Sequence, residues 1–236
     1  MENAIFITGC NRRIGLHLTK RFLEEGYYVI AHYRKMTPEL EIYKNKNAVF
    51  VRADLTSTKD IDNMVKQIGI FTKSLRAVIH NASFYESTSS DLKEAAKQYQ
   101  MFFQVHMLAP FLLNQKLHKL LTRGEGMRDI IHITDTNAEN PDPRFDIYSS
   151  AKAGLANLTK SFAKNFAPQI KVNSIAPGPI VFSKRESEEQ RKAILEKTLL
   201  QKEGGVESVF QGVQAIMNNS FITGSCLNVD GGRSLS

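Results

Sequence analysis

The sequence predicts an α/β fold, a doubly wound parallel sheet of about seven strands with helices on both faces, and three observations carry that prediction. Short runs rich in Ile and Val alternate with longer amphipathic stretches along all 236 residues. The short runs are apolar almost without interruption, as strands covered on both faces must be. A glycine-bearing turn directly follows the first run and opens into the first amphipathic stretch.

In chain order, the expected strands are Ala4–Thr8, Tyr28–Tyr33, Ala48–Val51, Ala77–His80, Asp129–Ile133, Lys171–Ile175 and Cys226–Val229. Helical periodicity places helices at Ile14–Glu25, Thr58–Phe71, Ile147–Phe166 and Glu207–Asn218, with one long helix from about Asp91 to Leu121. The stretch Pro179 to Gly205 breaks this rhythm: it is long, charged and follows the sixth strand. Such segments beyond strand carboxyl ends often cover a ligand crevice, so a substrate lid is expected here, with a helix over Glu188–Leu200. No repeat or linker divides the chain, and one domain over residues 1–236 follows.

Hydrophobic residues make up 42% and charged residues 23%, enough apolar material for a packed core. No apolar run approaches the ~20 residues that span a bilayer. Met1-Glu2-Asn3 lacks a basic leader, so a cytoplasmic location and no membrane partner are expected. The net charge of +7 comes from scattered Lys and Arg without an aromatic-interleaved stripe. It reads as a field for an anionic cofactor or substrate rather than for nucleic acid. Cys10 and Cys226 read as free thiols, and histidines 17, 32, 80, 106, 118 and 132 show no paired ligand spacing, so no metal is expected.

The first turn reads Thr8-Gly9-Cys10-Asn11-Arg12-Arg13-Ile14-Gly15. Glycines at a strand-to-helix junction let the backbone approach a pyrophosphate, and the helix N-terminus offers it free N–H groups. The second strand ends in Arg34-Lys35 with no acid before Glu39. Basic residues there suit the 2′-phosphate of NADPH, where an NAD site would place Asp or Glu. Tyr148 and Lys152 stand at i and i+4, on one helix face. A neighbouring ammonium is expected to lower the phenol toward working range from its ordinary value of about 10.

The loop resembles the TGxxxGxG turn of short-chain dehydrogenases/reductases, with Arg13 in place of the middle glycine as in the family's pteridine reductase branch. The resemblance continues through Asp54-Leu55 after the third strand, His80-Asn81-Ala82-Ser83 after the fourth, the Tyr148/Lys152 pair, Pro177-Gly178, and Thr223 to Gly232. It thus spans the chain from Thr8 to Gly232 and implies a Rossmann-like single domain. It implies further that Gly9, Arg12, Arg13, Ile14 and Gly15 hold cofactor phosphate, that Asp54 and Leu55 meet the adenine, and that Asn81 and Ala82 line the cofactor. Lys152 would hold the nicotinamide ribose, with Pro177, Gly178 and the Ile180 backbone near the carboxamide. Asp135 stands where most of the family has serine, again as in pteridine reductases. A carboxyl there can deliver a proton to a ring nitrogen. His106 stands where an asparagine usually serves a proton relay with the lysine, and a satisfied core histidine is the competing reading.

The resemblance implies NADPH-dependent reduction of a dihydropterin, 7,8-dihydromonapterin or dihydrofolate, with Tyr148, Lys152 and Asp135 catalytic. Arg13 and Ser83 would bond the pterin's polar edge. Tyr85 would stack on its face, or Phe84 if the alignment slips by one. A homotetramer built on the Asp91–Leu121 and Ile147–Phe166 helices is expected as well. Two alternatives are a 3-oxoacyl or other carbonyl reductase, against which Asp135 argues, and a non-catalytic NADP-binding regulatory protein, against which Tyr148/Lys152 argues. Ser149-Ser150-Ala151-Lys152 also fits the S-x-x-K motif of penicillin-recognising hydrolases, but no partner motif follows.

Overall fold

Alternate residues of a strand point to opposite faces, so a strand buried on both faces must be apolar at every position. The first strand, β1 (Ala4–Ile7), meets that condition with all four residues buried. The computed structural model describes residues 1–44, 46–182 and 186–236. Among these, β1 is joined by β2 (Val29–Tyr33), β3 (Ala48–Arg52), β4 (Leu75–His80), β5 (Arg128–Ile133), β6 (Ile170–Pro177) and β7 (Cys226–Val229). They form one sheet in the order β3-β2-β1-β4-β5-β6-β7, every pair parallel.

The helices are α1 (Arg13–Glu24), α2 (Pro38–Glu41), α3 (Thr58–Phe71), α4 (Leu92–Phe103), α5 (Ala109–Thr122), α6 (Asp146–Phe166), α7 (Glu188–Glu196) and α8 (Gly205–Asn218). Ala4 and Phe6 join the core beneath α3, α5 and α6, whereas Ile5 and Ile7 join the core beneath α1 and α8. Strand order reverses between β1 and β4, whose carboxyl ends carry Thr8-Gly9 and Asn81-Ala82. That switch point is where open α/β sheets leave a crevice.

The single long helix expected over 91–121 is two helices joined by a π turn at Gln104–Leu108. Pro110 in the first turn of α5 has no N–H to give the carbonyl four residues back, and the widened turn accommodates this. The helix expected over 188–200 stops at Glu196, behind a capping box of Ser187 and Gln190. Beyond it the Leu200 N–H donates to the Gly231 carbonyl at 3.0 Å, and Gln201 turns the chain with a φ of 49°. Tertiary contact ends the helix there. The ends of this segment are tied together, Gly204 N–H to the Pro179 carbonyl and Gly205 N–H to that of Ile180. Residues 183–185 of the expected lid lie outside the described residues.

Under the crevice runs a buried polar chain. His80 Nε2 donates to Asn114 Oδ1 at 2.7 Å, and Asn114 Nδ2 donates to His132 Nε2 at 3.2 Å. His132 Nδ1 then donates to Thr159 Oγ1 at 2.8 Å, which donates to the Leu155 carbonyl at 3.0 Å. The chain ties β4 and β5 to α5 and α6 through paired buried groups.

Candidate active site

The phosphate loop is drawn against the β4 turn by one hydroxyl and one amide. Thr8 Oγ1 accepts from the backbone N–H groups of Asn81 and Ala82, each at 3.0 Å. Asn81 Nδ2 donates to the carbonyls of Thr8 and Gly9 at 3.0 Å. The approach is so close that a Cβ on Gly9 would sit 2.8 Å from Ala82 Cα, and one on Gly15 only 2.1 Å from the Gly9 carbonyl oxygen. Gly9 also has a φ of 73°, where a side chain is strained.

At the start of α1 no side chain caps the helix, and its first turn carries no acid. A twelve-residue helix thus presents uncapped N–H groups and the positive end of its dipole to the crevice. This backbone cradle and the adjoining exposed Arg12 fit a pyrophosphate. Arg34 and Lys35 project exposed from the end of β2, with Asp54 as an acid neighbouring Arg34. Asp54 Oδ1 accepts from the Thr56 N–H and hydroxyl, which holds its carboxyl below the usual range, with Arg34 adding to the effect. Leu55 is buried in the core, so only its backbone is available to an adenine.

Two residues of this region escaped sequence reasoning, Thr8 and His32. The Gly9 N–H donates to His32 Nδ1 at 3.1 Å, so the proton sits on Nε2 and is given to the Ala53 carbonyl at 3.1 Å. Burial pushes His32 down to about 4, so it stays neutral as it links the loop to β3. The buried Cys10 thiol is pushed up to about 12 by burial, an unreactive filler.

Across the crevice α6 brings Tyr148 and Lys152 to the end of β5. Lys152 Nζ donates to the Ile133 carbonyl at 2.8 Å and stands 5.7 Å from the centre of the Tyr148 ring. Tyr148 Oη donates to Asp135 Oδ2 at 2.6 Å, while Asp135 Oδ1 accepts from the Asn137 N–H at 2.9 Å. The expectation that Lys152 lowers the phenol is therefore corrected. Burial, then the negative charge of Asp135 and its hydrogen bond, push Tyr148 well above its ordinary value. Burial brings Lys152 down to about 8, against the opposing pull of Asp135.

Of the two aromatic candidates, Tyr85 is at the mouth, 54% exposed. It stacks on Phe145 at 4.2 Å and meets Tyr148 edge-on at 4.9 Å. Phe84 turns inward onto Phe102 at 4.1 Å and His106 at 5.2 Å. His106 lies in the π turn and bonds Ser83 Oγ at 2.9 Å and the Phe102 carbonyl at 3.1 Å. Lys152 reaches it only as a charge, and with burial that charge lowers the imidazole well below its usual value. Arg13, with a φ of 50°, spans the crevice and donates to the Val181 carbonyl. The Gly178 N–H donates to Val229, which sets the turn after Pro177, and Ile180 is buried.

A family model described as enoyl-(acyl carrier protein) reductase matches residues 9–234. The dihydromonapterin reductase of Enterobacter sp. strain 638 is 36% identical over 238 residues, which are 100% of this chain and 98% of that protein. Among solved structures, FolM alternative dihydrofolate reductase 1 from Brucella canis, complexed with NADP, superposes with a TM-score of 0.87 at 28% identity, covering 99% of this chain and 95% of its own. A 4-hydroxyisoleucine dehydrogenase mutant complexed with NADH and succinate gives a TM-score of 0.90 at 26% identity, covering 99% of each chain.

Proposed function

The chain belongs to the short-chain dehydrogenase/reductase family, and from that membership we propose that it catalyses the NADPH-dependent reduction of a dihydropterin, with 7,8-dihydromonapterin as substrate and dihydrofolate as a second one. The observation that carries this reading is the 2.6 Å hydrogen bond from Tyr148 to Asp135. A ketone needs one proton on oxygen and a neutral donor to polarise it. A C6=N5 bond needs a proton on a ring nitrogen, and a carboxyl in contact with the phenol provides a second group to hold it. The names of the relatives and of the Brucella structure support the same substrate class.

NADPH, when bound, supplies the hydride. The chain's own residues then divide the work. Gly9, Ile14 and Gly15 bring the backbone to the pyrophosphate, with Arg12 and Arg13 beside it. Arg34 and Lys35 neutralise the 2′-phosphate, Asp54 and the Leu55 backbone meet the adenine, and Asn81 and Ala82 line the nicotinamide end. Lys152 bonds the ribose, while Pro177, Gly178 and the Ile180 backbone flank the carboxamide. Tyr85 stacks on the bicycle over the floor formed by Phe84, and Ser83 and Arg13 bond its polar edge. Tyr148 and Asp135 hold and release the proton.

The enzyme works in the cytoplasm as a homotetramer, in which Tyr99, Phe103 and Phe111, exposed on α4 and α5, are covered by another subunit. Light scattering at micromolar concentration should give four chains, and a monomer would refute this assembly. The reaction itself is tested by following NADPH oxidation with 7,8-dihydromonapterin and with an acetoacetyl thioester. Turnover of the pterin alone is expected. Reduction of the thioester alone would replace this reading with that of a carbonyl reductase.

A further inference from the structure

His106 is 1% exposed and packed among aromatic rings, stacked on Phe102 at 5.5 Å and edge-on to Tyr148 at 5.9 Å. Both its nitrogens are engaged, and the partners fix where the proton is. The Phe102 carbonyl can only accept, so Nδ1 carries the hydrogen. The ring is neutral, because burial and the Lys152 charge hold it well below its ordinary value, so Nε2 is bare. The Ser83 hydroxyl must then give its one hydrogen to Nε2 at 2.9 Å, because among the described residues no other donor reaches that buried nitrogen, although the Phe84 carbonyl at the 3.5 Å limit and the Tyr148 hydroxyl also lie within reach. Ser83 is itself exposed beside the Tyr148 hydroxyl, so what it turns to the crevice is lone pairs alone.

We infer that His106 is a specificity-determining positioning residue, which locks Ser83 as an acceptor so that the site demands an N–H donor on the substrate edge it meets. The substrate half of this inference rests on the dihydropterin reading. The donor that this edge would meet is the 2-amino group on the pyrimidinone ring of a pterin. The corresponding lumazine, with oxygen in place of the 2-amino group, turns an acceptor toward an acceptor. A site built to bond an N–H rejects an analogue lacking it far more strongly than a merely greasy pocket does.

The test compares kcat and KM for 7,8-dihydropterin and 7,8-dihydrolumazine bearing the same 6-substituent, at saturating NADPH. The wild type should prefer the pterin by roughly tenfold or more in kcat/KM, expressed mainly in KM. His106→Phe keeps the ring packing and frees the Ser83 hydroxyl to rotate, so the preference should fall to within about threefold. Ser83→Ala should collapse it as well, and adding His106→Phe to Ser83→Ala should change the ratio no further, as expected for two groups acting as a unit. A residue of purely structural importance would weaken both substrates alike, and an unchanged ratio in folded His106→Phe overturns the inference. Nitrogen-15 spectra of histidine-labelled protein read the lock independently of turnover. A protonated Nδ1 and bare Nε2 at neutral pH are expected for His106, and the opposite tautomer overturns the lock. Failure of the dihydropterin reading is distinguishable, because the wild type would then oxidise NADPH with neither heterocycle.

Discussion

The Tyr148 hydroxyl donates to Asp135 at 2.6 Å, so a proton leaving the phenol in any other direction leaves two anions in contact. Burial of the ring, and then that repulsion, explain why the phenol is held protonated, ready to give a proton rather than to take one. Asp135→Ser removes the carboxyl while leaving a hydroxyl, and should lower kcat/KM for dihydromonapterin at least tenfold, the range of lost general-acid catalysis. Single-turnover assays with saturating NADPH should place the defect in the chemical step. The same change removes a negative charge that holds Lys152 up, so the Lys152 pKa of about 8 should drop and the alkaline limb of the activity profile, which the lysine reaches well before the phenol, should move to lower pH. An alkaline limb that stays in place would sink the coupling. Tyr148→Phe should abolish most turnover yet bind NADPH as the wild type does; full activity would assign the proton to Asp135 alone. The identities of these residues are legible in the sequence from spacing and resemblance. Their hydrogen-bond partners are not, because whether Lys152 points at a phenol or at the Ile133 carbonyl depends on a backbone that no spacing reveals.

The turn between β1 and α1 carries its information in atoms that are missing. Alanine at an ordinary helix-interior glycine gains about 1 kcal/mol through propensity. At Gly15, inside α1, the added carbon would lie 2.1 Å from the Gly9 carbonyl oxygen and 2.4 Å from Asn81 Nδ2. The carbonyl belongs to the loop backbone and the Asn81 amide is tied to the Thr8 and Gly9 carbonyls, so overpacking wins over propensity. Gly15→Ala is therefore expected to lower the melting temperature and weaken NADPH binding by calorimetry, and an unchanged protein would show the loop to be slack. At the end of β2, replacing Arg34 and Lys35 together by alanine should cut the preference for NADPH over NADH by roughly tenfold or more, since charge-assisted bonds are lost even after screening. Equal kcat/KM for the two cofactors in the wild type would remove that assignment. Elements of this kind are legible where local chemistry decides them, as the Ser57 cap of α3 does through the Asp60 N–H. They are not where tertiary contact decides, as at the stop of α7, beyond which Leu200 bonds the Gly231 carbonyl.

Across the whole molecule, burial made the inner strands readable as mainly apolar runs, though β7 at the sheet edge is exposed at three of its four residues, and the seven expected strands all occur within a few residues of their predicted ends. The same burial hides four histidines from sequence reasoning, since a histidine within an apolar run gives no sign of its partners. His32 and His80 are pushed down to about 4 by burial, and His106 and His132 lie well below their ordinary value for the same leading reason. The unfolded chain binds protons at these sites from about pH 6.5 downward, whereas the folded chain does not. Their neutral form thus contributes stability that is fully present above about pH 6.5 and is lost as the pH falls toward about 4. Each depressed histidine adds a slope of up to about 1.4 kcal/mol per pH unit within that window. Four of them acting together over one or two units rival the roughly 5–15 kcal/mol that holds a typical domain folded. The lowered carboxylates Asp54, Asp142 and Asp230 begin to fail only below their ordinary value of 3.8, so the two effects fall in separate windows. Urea unfolding at intervals between pH 7.5 and 4.5 should therefore show stability declining from about pH 6.5, with acid unfolding complete before the carboxylates titrate. Stability that stayed level down to about pH 5 would mean that the buried histidines accept protons in the folded state, and would remove the neutral tautomers on which the loop, the polar chain and the Ser83 lock all depend.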